Sequence, residues 1–321
     1  MSKKIIIVSG DPNSINSEII FKSWIKLPKI VRKKIFLISN FQLLKEQYKK
    51  LNYKIDLERV DSILKIHNSD KLKIIDIRIG FKDPFNVSRK SSSKFVLNAL
   101  NLAHNLALNK KVAGIINCPI DKKLLLKNEI GVTEILSSKC NLKNDSEVMV
   151  IKGKNLIVSP ITTHLNIKSV SKKLNKKMII NKIKTINTWY KNLYKKKPQI
   201  AILGLNPHNA ELRENSEERR IIIPAIKTLK KLGIFLKGPL AADTLFINDY
   251  KNFNVIVGMY HDQVLTPFKT LEKFDAINLT LGLKYPRVSP DHGVAADIVL
   301  QKKAKPESLL KCINYIYNLN S

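Results

Sequence analysis

Glycine is scarce in this chain, 11 residues in 321, and none falls in a GxGxxG run or a P-loop. A nicotinamide cofactor, if one binds, therefore does so without the Rossmann fingerprint. No GxSxG elbow is present, which removes the usual sign of a serine hydrolase. Cysteine is rarer still: Cys118, Cys140 and Cys312 are odd in number and form no CxxC pair. That excludes a disulfide framework and a cysteine zinc site, and it fits a reducing cytoplasm. No apolar run approaches the roughly 18 to 20 residues that span a bilayer, so no membrane partner is expected. The opening MSKKIIIVSGDPNS carries an apolar run too short for a signal peptide and reads as a first strand. Arginine is also sparse. Of 57 basic residues only eight are arginine, although the net charge is +31. The lysines lie along the whole chain, as in Lys172-Lys173, Lys176-Lys177 and Lys195 to Lys197. No RNP aromatic pattern, zinc finger or basic zipper accompanies them. Specific nucleic-acid binding is not expected, only weak, salt-sensitive adsorption to polyanions.

Hydrophobic residues make up 44% of the chain, ample for a packed core. Short apolar runs alternate with helical patterns, which predicts an α/β protein with a mainly parallel, doubly covered sheet. Strands are expected at Ile5–Val8, Ile35–Ser39, Val112–Asn117, Val148–Ile151, Leu156–Pro160, Gln199–Leu203, Val255–Met259 and Ala276–Leu281. Helices are expected at Asn16–Ile25, Phe41–Leu51, Ser91–Leu108, Asp121–Asn128, Glu217–Lys231 (despite Pro224) and Glu307–Leu319. Ile167–Tyr194 reads as helical with a break near Leu174 to Lys177.

Four of the six histidines follow apolar strands in Pro- or Thr-flanked loops, while His67 and His104 read as structural or surface residues. His164 follows Ile157 to Thr163, His208 lies in Asn206-Pro207-His208-Asn209, and His261 follows Val255 to Tyr260. Three imidazoles at strand ends could converge above one sheet edge, where open α/β folds bind ligands, and would suit a divalent Lewis acid. Unconnected loop histidines are the bland alternative. The stretch Met259–Asp297 is the densest in polar groups. His261 and Asp262 are expected on a loop and Lys269 on a Pro-flanked turn, followed by Asn278, Arg287, Asp291 and His292. Such a run suits a small anionic ligand. Asp243, in Gly238-Pro239-Leu240-Ala241-Ala242-Asp243-Thr244, is either a helix cap or a partner that orients a histidine. The Gly10 to Ser14 turn could approach a phosphate.

Longer motifs go further. SGDPNSINSEI, NCPIDKKLL, GVTEIL, TTHL, GLNPHNAE with SEERRIIIPAI, GPLAADTLF, YHDQVLTPFK and NLTLGLKYPRVSPDHG run in order along the chain. In these segments it resembles the 4-hydroxythreonine-4-phosphate dehydrogenase family of vitamin B6 biosynthesis. The resemblance implies an isocitrate/isopropylmalate-dehydrogenase-like fold, two α/β/α lobes with a cleft between them. It puts approximately residues 1–125 with 266–321 in one lobe and approximately 126–265, with most of the metal-ligand positions, in the other. It also implies a cytoplasmic homodimer with active sites completed at the interface, NAD or NADP as cofactor through residues it does not identify, and one divalent ion (zinc, magnesium or cobalt) per subunit.

On that resemblance His164, His208 and His261 fall on metal-ligand positions, and Thr133, Lys269, Asn278 and Arg287 on substrate-binding positions. Asp243 and Asp262 are the candidates for moving a proton. The activity implied is oxidation of 4-phosphooxy-L-threonine to a 3-oxo acid that loses CO₂. One position departs from the family pattern: Val132 stands where a histidine is usual, and valine cannot donate a hydrogen bond to an anion. Val132 therefore keeps a related activity open, on another phosphorylated hydroxy acid such as a four-carbon sugar acid phosphate. Asn13 and Asn16 stand where small residues are usual and could tighten the local backbone. A phosphohydrolase and a polyanion binder are the alternatives from other classes.

Overall fold

A computed structural model describes residues 4–63, 65, 69–125, 131–142, 147–247, 249–273 and 276–319. His67 and part of the expected helix at 121–128 lie outside them. The chain divides into two compact units, Met1–Cys140 with Leu283–Ser321, and Asn141–Gly282.

The strands in chain order are β1 (Lys4–Val8), β2 (Ile35–Ser39), β3 (Leu57–Arg59), β4 (Leu72–Asp76), β5 (Val112–Asn117), β6 (Val148–Lys152), β7 (Ile157–Pro160), β8 (Ile200–Leu203), β9 (Leu236–Leu240), β10 (Val255–Gly258), β11 (Ile277–Leu281) and β12 (Arg287–Pro290). In the first unit they run β3-β4-β2-β1-β5-β12, and every pairing in that order is parallel. β2 and β5 are buried at every position, as strands covered on both faces must be. Helix Arg89–Leu108 packs on β1, β2 and β5, while helix Glu307–Asn318 packs on β1, β5 and β12.

The second unit is mixed rather than purely parallel. Its order is β11-β6-β7-β10-β8-β9, with β6 antiparallel to both neighbours and β7, β10, β8 and β9 parallel. Its core gathers Val158, Ala201, Ile256, Val264 and Phe268.

The divide falls at 140/141 and 282/283 rather than at 125/126 and 265/266. Helix Val132–Lys139 is tied to the first unit by a hydrogen bond from Arg287 to Thr133. Phe268 and Ala276 belong to the second unit's core, and β11 pairs with β6.

Several local differences have clear causes. His261, Asp262 and Lys269 are not on a loop and a turn: all three lie in helix His261–Glu272, with Pro267 inside it. Val264, Leu265 and Phe268 supply its buried stripe, and Asp262 suits the positive end of the helix dipole. Asp121–Asn128 is only a short 3-10 turn at Lys122–Leu124 among the described residues. Glu217–Lys231 is a π-helical stretch, Glu218–Ile222, leading into an α-helix at Ile223–Lys231. Pro224 sits in that α-helix's first turn, where a missing N–H costs little. The 167–194 region breaks where expected. Leu174 turns extended, and the Asn175 side chain accepts from Met178 N at 2.9 Å, capping the next helix. Among the described residues no helix is long and apolar enough to cross a membrane.

Candidate functional site

β7, β10 and β8 are parallel neighbours, paired through Ile256–Val158 and Ile256–Ala201. Their carboxyl ends therefore lie side by side, and each leads into a histidine: β7 to His164, β10 to His261, β8 to His208. The His164 and His261 rings stand 5.7 Å apart, centre to centre. Two imidazoles on one ion, with metal–nitrogen bonds of about 2.0–2.1 Å, hold their ring centres about 5 Å apart. That pair fits a shared divalent ion. His261 Nδ1 lies 2.6 Å from Asp262 Oδ1, an arrangement of the kind that orients an imidazole.

His208 is not gathered into the same cluster. Among the described residues no group of three His, Cys, Asp or Glu side chains stands at metal-holding distance. Its Nε2 lies 3.7 Å from Asp243 Oδ2, with both side chains exposed. Asp243 is not a cap: the cap position of helix Ala242–Leu245 is Ala241, and Asp243 lies in the first turn. His208 to Leu212 all take left-handed φ values of 46° to 56°, a conformation costing about 1–2 kcal/mol per L-residue. His164 is left-handed too, at φ 52°. Strain of this kind collects where a side chain must be aimed.

The turn carrying His208 is braced from behind. Glu218 is fully buried and accepts from Leu205 N at 2.7 Å, Asn206 N at 2.8 Å and Asn206 Nδ2 at 3.0 Å. Burial pushes its carboxyl up, but the bonds from Asn206 and Leu205 outweigh it, and the group sits below the usual carboxylate range. Gly204 faces Asn209 Oδ1 so closely that no Cβ would fit.

In the first unit, Arg287 opens β12 and is buried, 5% exposed. Its Nε donates to Asn117 Oδ1 at 2.7 Å and its Nη1 to Thr133 Oγ1 at 3.4 Å. Burial lowers the guanidinium to about 10, with Cys312, Glu134 and Tyr285 pushing the other way, so it stays cationic at neutral pH. The structure thus joins Arg287 and Thr133. Val132, first residue of the same helix, is half-buried. Lys269 and Asn278 lie in the second unit, Lys269 half-buried in its helix and Asn278 on β11 with a buried Oδ1 that has no hydrogen-bond partner among the described residues.

Two other candidates make contacts within the protein. His104 is buried, and its Nδ1 lies 2.8 Å from the Tyr285 hydroxyl. In the Gly10 to Asn16 turn, Asn13 exchanges two hydrogen bonds with Val87, and Asn16 donates to Pro119 O at 2.8 Å. These bonds tie the turn to Val87 and Pro119. Asn117, Glu218 and Gln263 are the structurally important side chains missed on sequence. Gln263 stood in view, two residues beyond His261.

The fold is that of an α/β protein of the isocitrate-dehydrogenase-like class. An isocitrate dehydrogenase from Methylococcus capsulatus shares the fold at TM-score 0.51 and 10% identity, over 98% of this chain and 85% of that one. The chain belongs to the family of pyridoxal phosphate biosynthetic protein PdxA, whose model matches residues 31–316, and is a dehydrogenase. A 4-hydroxythreonine-4-phosphate dehydrogenase from Sulfurihydrogenibium sp. (strain YO3AOP1) is 37% identical over 97% of this chain and 96% of its own. A relative from Oceanobacillus iheyensis, provisionally named a D-threonate 4-phosphate dehydrogenase, is 31% identical over 99% of both chains. A crystal structure of 4-hydroxythreonine-4-phosphate dehydrogenase from Klebsiella pneumoniae superposes at TM-score 0.85 and 28% identity over the whole of both chains.

Proposed function

We propose that the protein oxidises 4-phosphooxy-L-threonine with NAD or NADP in a divalent-metal-dependent reaction that ends in loss of CO₂. The observation that carries this reading is the alignment of three histidines on adjacent parallel strand ends, two with rings 5.7 Å apart. His164 and His261, with His208 from the next strand, would hold the ion. Zinc, magnesium and cobalt are the candidates, and the ion would act as a Lewis acid that acidifies the substrate hydroxyl and polarises the ketone formed from it. C3 would give its hydride to the nicotinamide cofactor when that is bound. Loss of the hydroxyl proton and that hydride gives 2-amino-3-oxo-4-phosphooxybutanoate, which releases CO₂ to leave 3-amino-2-oxopropyl phosphate.

The protein's own groups bind and orient. Arg287 offers a fixed cation to the substrate's anionic groups, held in place by Asn117 and Thr133. Lys269 adds a second charge, and Asn278 a neutral amide. Asp262 and Asp243 act on His261 and His208, fixing ring orientation, and are the candidates for receiving the hydroxyl proton. The functional unit is a homodimer in the cytoplasm, with the active site completed at the subunit interface.

A second reading is favoured by Val132 and by the Oceanobacillus relative: oxidation of a phosphorylated four-carbon sugar acid lacking the amino group. The test offers 4-phosphooxy-L-threonine and such a sugar acid phosphate separately, with NAD or NADP and a divalent ion, and follows reduced nicotinamide with and without chelator. Chelator-sensitive reduction with the amino acid phosphate supports the first reading. Reduction with the sugar acid alone supports the second, and reduction with neither sinks both.

A further inference from the structure

One amide side chain links the ends of two histidine-bearing strands. Gln263 sits in the first turn of its helix. Its Oε1 accepts from Met259 N at 2.7 Å, two residues before His261. Its Nε2 donates to Gly204 O at 2.7 Å, four residues before His208. The brace extends to the third strand through Met259. Thr162, buried and two residues before His164, donates to Met259 O from its Oγ1 at 2.7 Å and from its backbone N at 3.1 Å. Gln263 and Thr162 thus grip the peptide groups of Met259 from its two polar sides.

These bonds lie beyond the last ladder contacts of β7, β8 and β10, where the strands would otherwise be free to splay. A primary amide suits the task because it carries a donor and an acceptor on one planar group. A carboxylate would set an acceptor against the Gly204 carbonyl, and an apolar side chain would leave both peptide groups unpaired. Gly258 makes room: a Cβ there would meet Gln263 Oε1 at 2.9 Å and Val264 Cγ1 at 2.6 Å.

We infer that Gln263 is the positioning residue for divalent-ion capture, setting the mutual placement of the strand ends that carry His164, His208 and His261, with Thr162 as its second anchor. The inference rests on the metal-dependent reading above. Groups that orient metal ligands typically contribute 10–100-fold to affinity, and a link one step further out should fall at the low end, about tenfold.

The test titrates Co²⁺ into chelator-stripped protein and follows its visible ligand-field absorption, alongside thermal melting of the metal-free form. The proteins are wild type, His164→Ala, Gln263→Met (similar in volume, without either hydrogen bond) and Thr162→Val. The expected result is saturable binding by wild type, none of comparable affinity by His164→Ala, and about tenfold weaker binding with an altered band for the other two. Their metal-free melting should stay close to wild type. Wild-type affinity and spectrum in both Gln263→Met and Thr162→Val would overturn the inference. So would weaker binding that merely follows a collapse in melting temperature in both, because that is the mark of ordinary packing. If wild type itself binds no Co²⁺, the metal-dependent reading fails first and the positioning role falls with it.

Discussion

The arginine corner of the first unit and the histidine rim of the second are built on opposite plans. Arg287 is buried, and its fork is held by Asn117 and Thr133 before any ligand arrives. His208 is exposed on a left-handed turn, and the His164 and His261 rings stand 5.7 Å apart. A guanidinium has one charge state at working pH and a fixed donor geometry, so it can be set in place permanently. Imidazoles meant to hold an ion would have to present lone pairs to it, and packing them tightly without one would bury unpaired polar atoms. What is rigid at the rim is the layer behind it: Gln263, Thr162 and Glu218.

The comparison can be broken at four points. His261→Ala should have the largest catalytic effect, a loss of chelator-sensitive oxidation of about 10³-fold or more if the ion carries the chemistry. The melting temperature should barely move, because the side chain is partly exposed; a variant that loses less than tenfold would detach His261 from the reaction. Arg287→Lys should come next. Lysine keeps the charge but lacks the fork, so kcat/KM for the phosphorylated substrate should fall about 30- to 1000-fold, corresponding to roughly 2–4 kcal/mol. Near-wild-type kinetics would show that charge alone suffices.

Glu218→Gln should act on stability, by about 1–2 kcal/mol at pH 7 in urea unfolding. Glu218 is held below its ordinary value in the folded state. Its contribution is therefore fully present above the unfolded carboxylate pKa of about 4.3 and is lost as the pH falls through the lower folded value. The gap between variant and wild type should close below about pH 4, and a gap that ignores pH would refute the assignment. Lys73→Met should be the smallest. Lys73 is fully buried, and its amine lies 5.6 Å from the centre of the Phe36 ring, with no hydrogen-bond partner among the described residues. Burial lowers its pKa, with Glu58 and Asp70 opposing. Methionine should leave stability unchanged or raise it by up to about 1 kcal/mol. A large loss would mean that this cation is braced after all.

Strands and helices with strong periodicity were legible from composition and spacing: β2, β5 and helix Phe41–Leu51 lie where their apolar patterns put them. β3, β4, β9 and β12 were not. Each is short or carries charged, proline or glycine residues, as in LER, LKIID, LKGPL and RVSP, and each is held by its neighbours more than by its own pattern. Helix His261–Glu272 was masked by Pro267, although Val264, Leu265 and Phe268 already had helical spacing. The convergence of histidines above neighbouring strands could be anticipated, because each ends an apolar run. The Arg287–Asn117 contact could not, since its partners are 170 residues apart and nothing local links them.

That separation also governs the order in which the molecule comes into being. The second unit is one unbroken stretch, Asn141–Gly282, whereas the first needs Leu283–Ser321 to supply β12 and the helix Glu307–Asn318. Contacts that close long loops form late, and chains emerge from the amino end. In pulse-labelled hydrogen exchange during refolding, amides of β7, β8 and β10 should gain protection before those of β5 and β12. A chain ended at Gly282 would keep all the histidine strands and lack Arg287, so it would carry the rim without the arginine corner, and only the longer chain carries both.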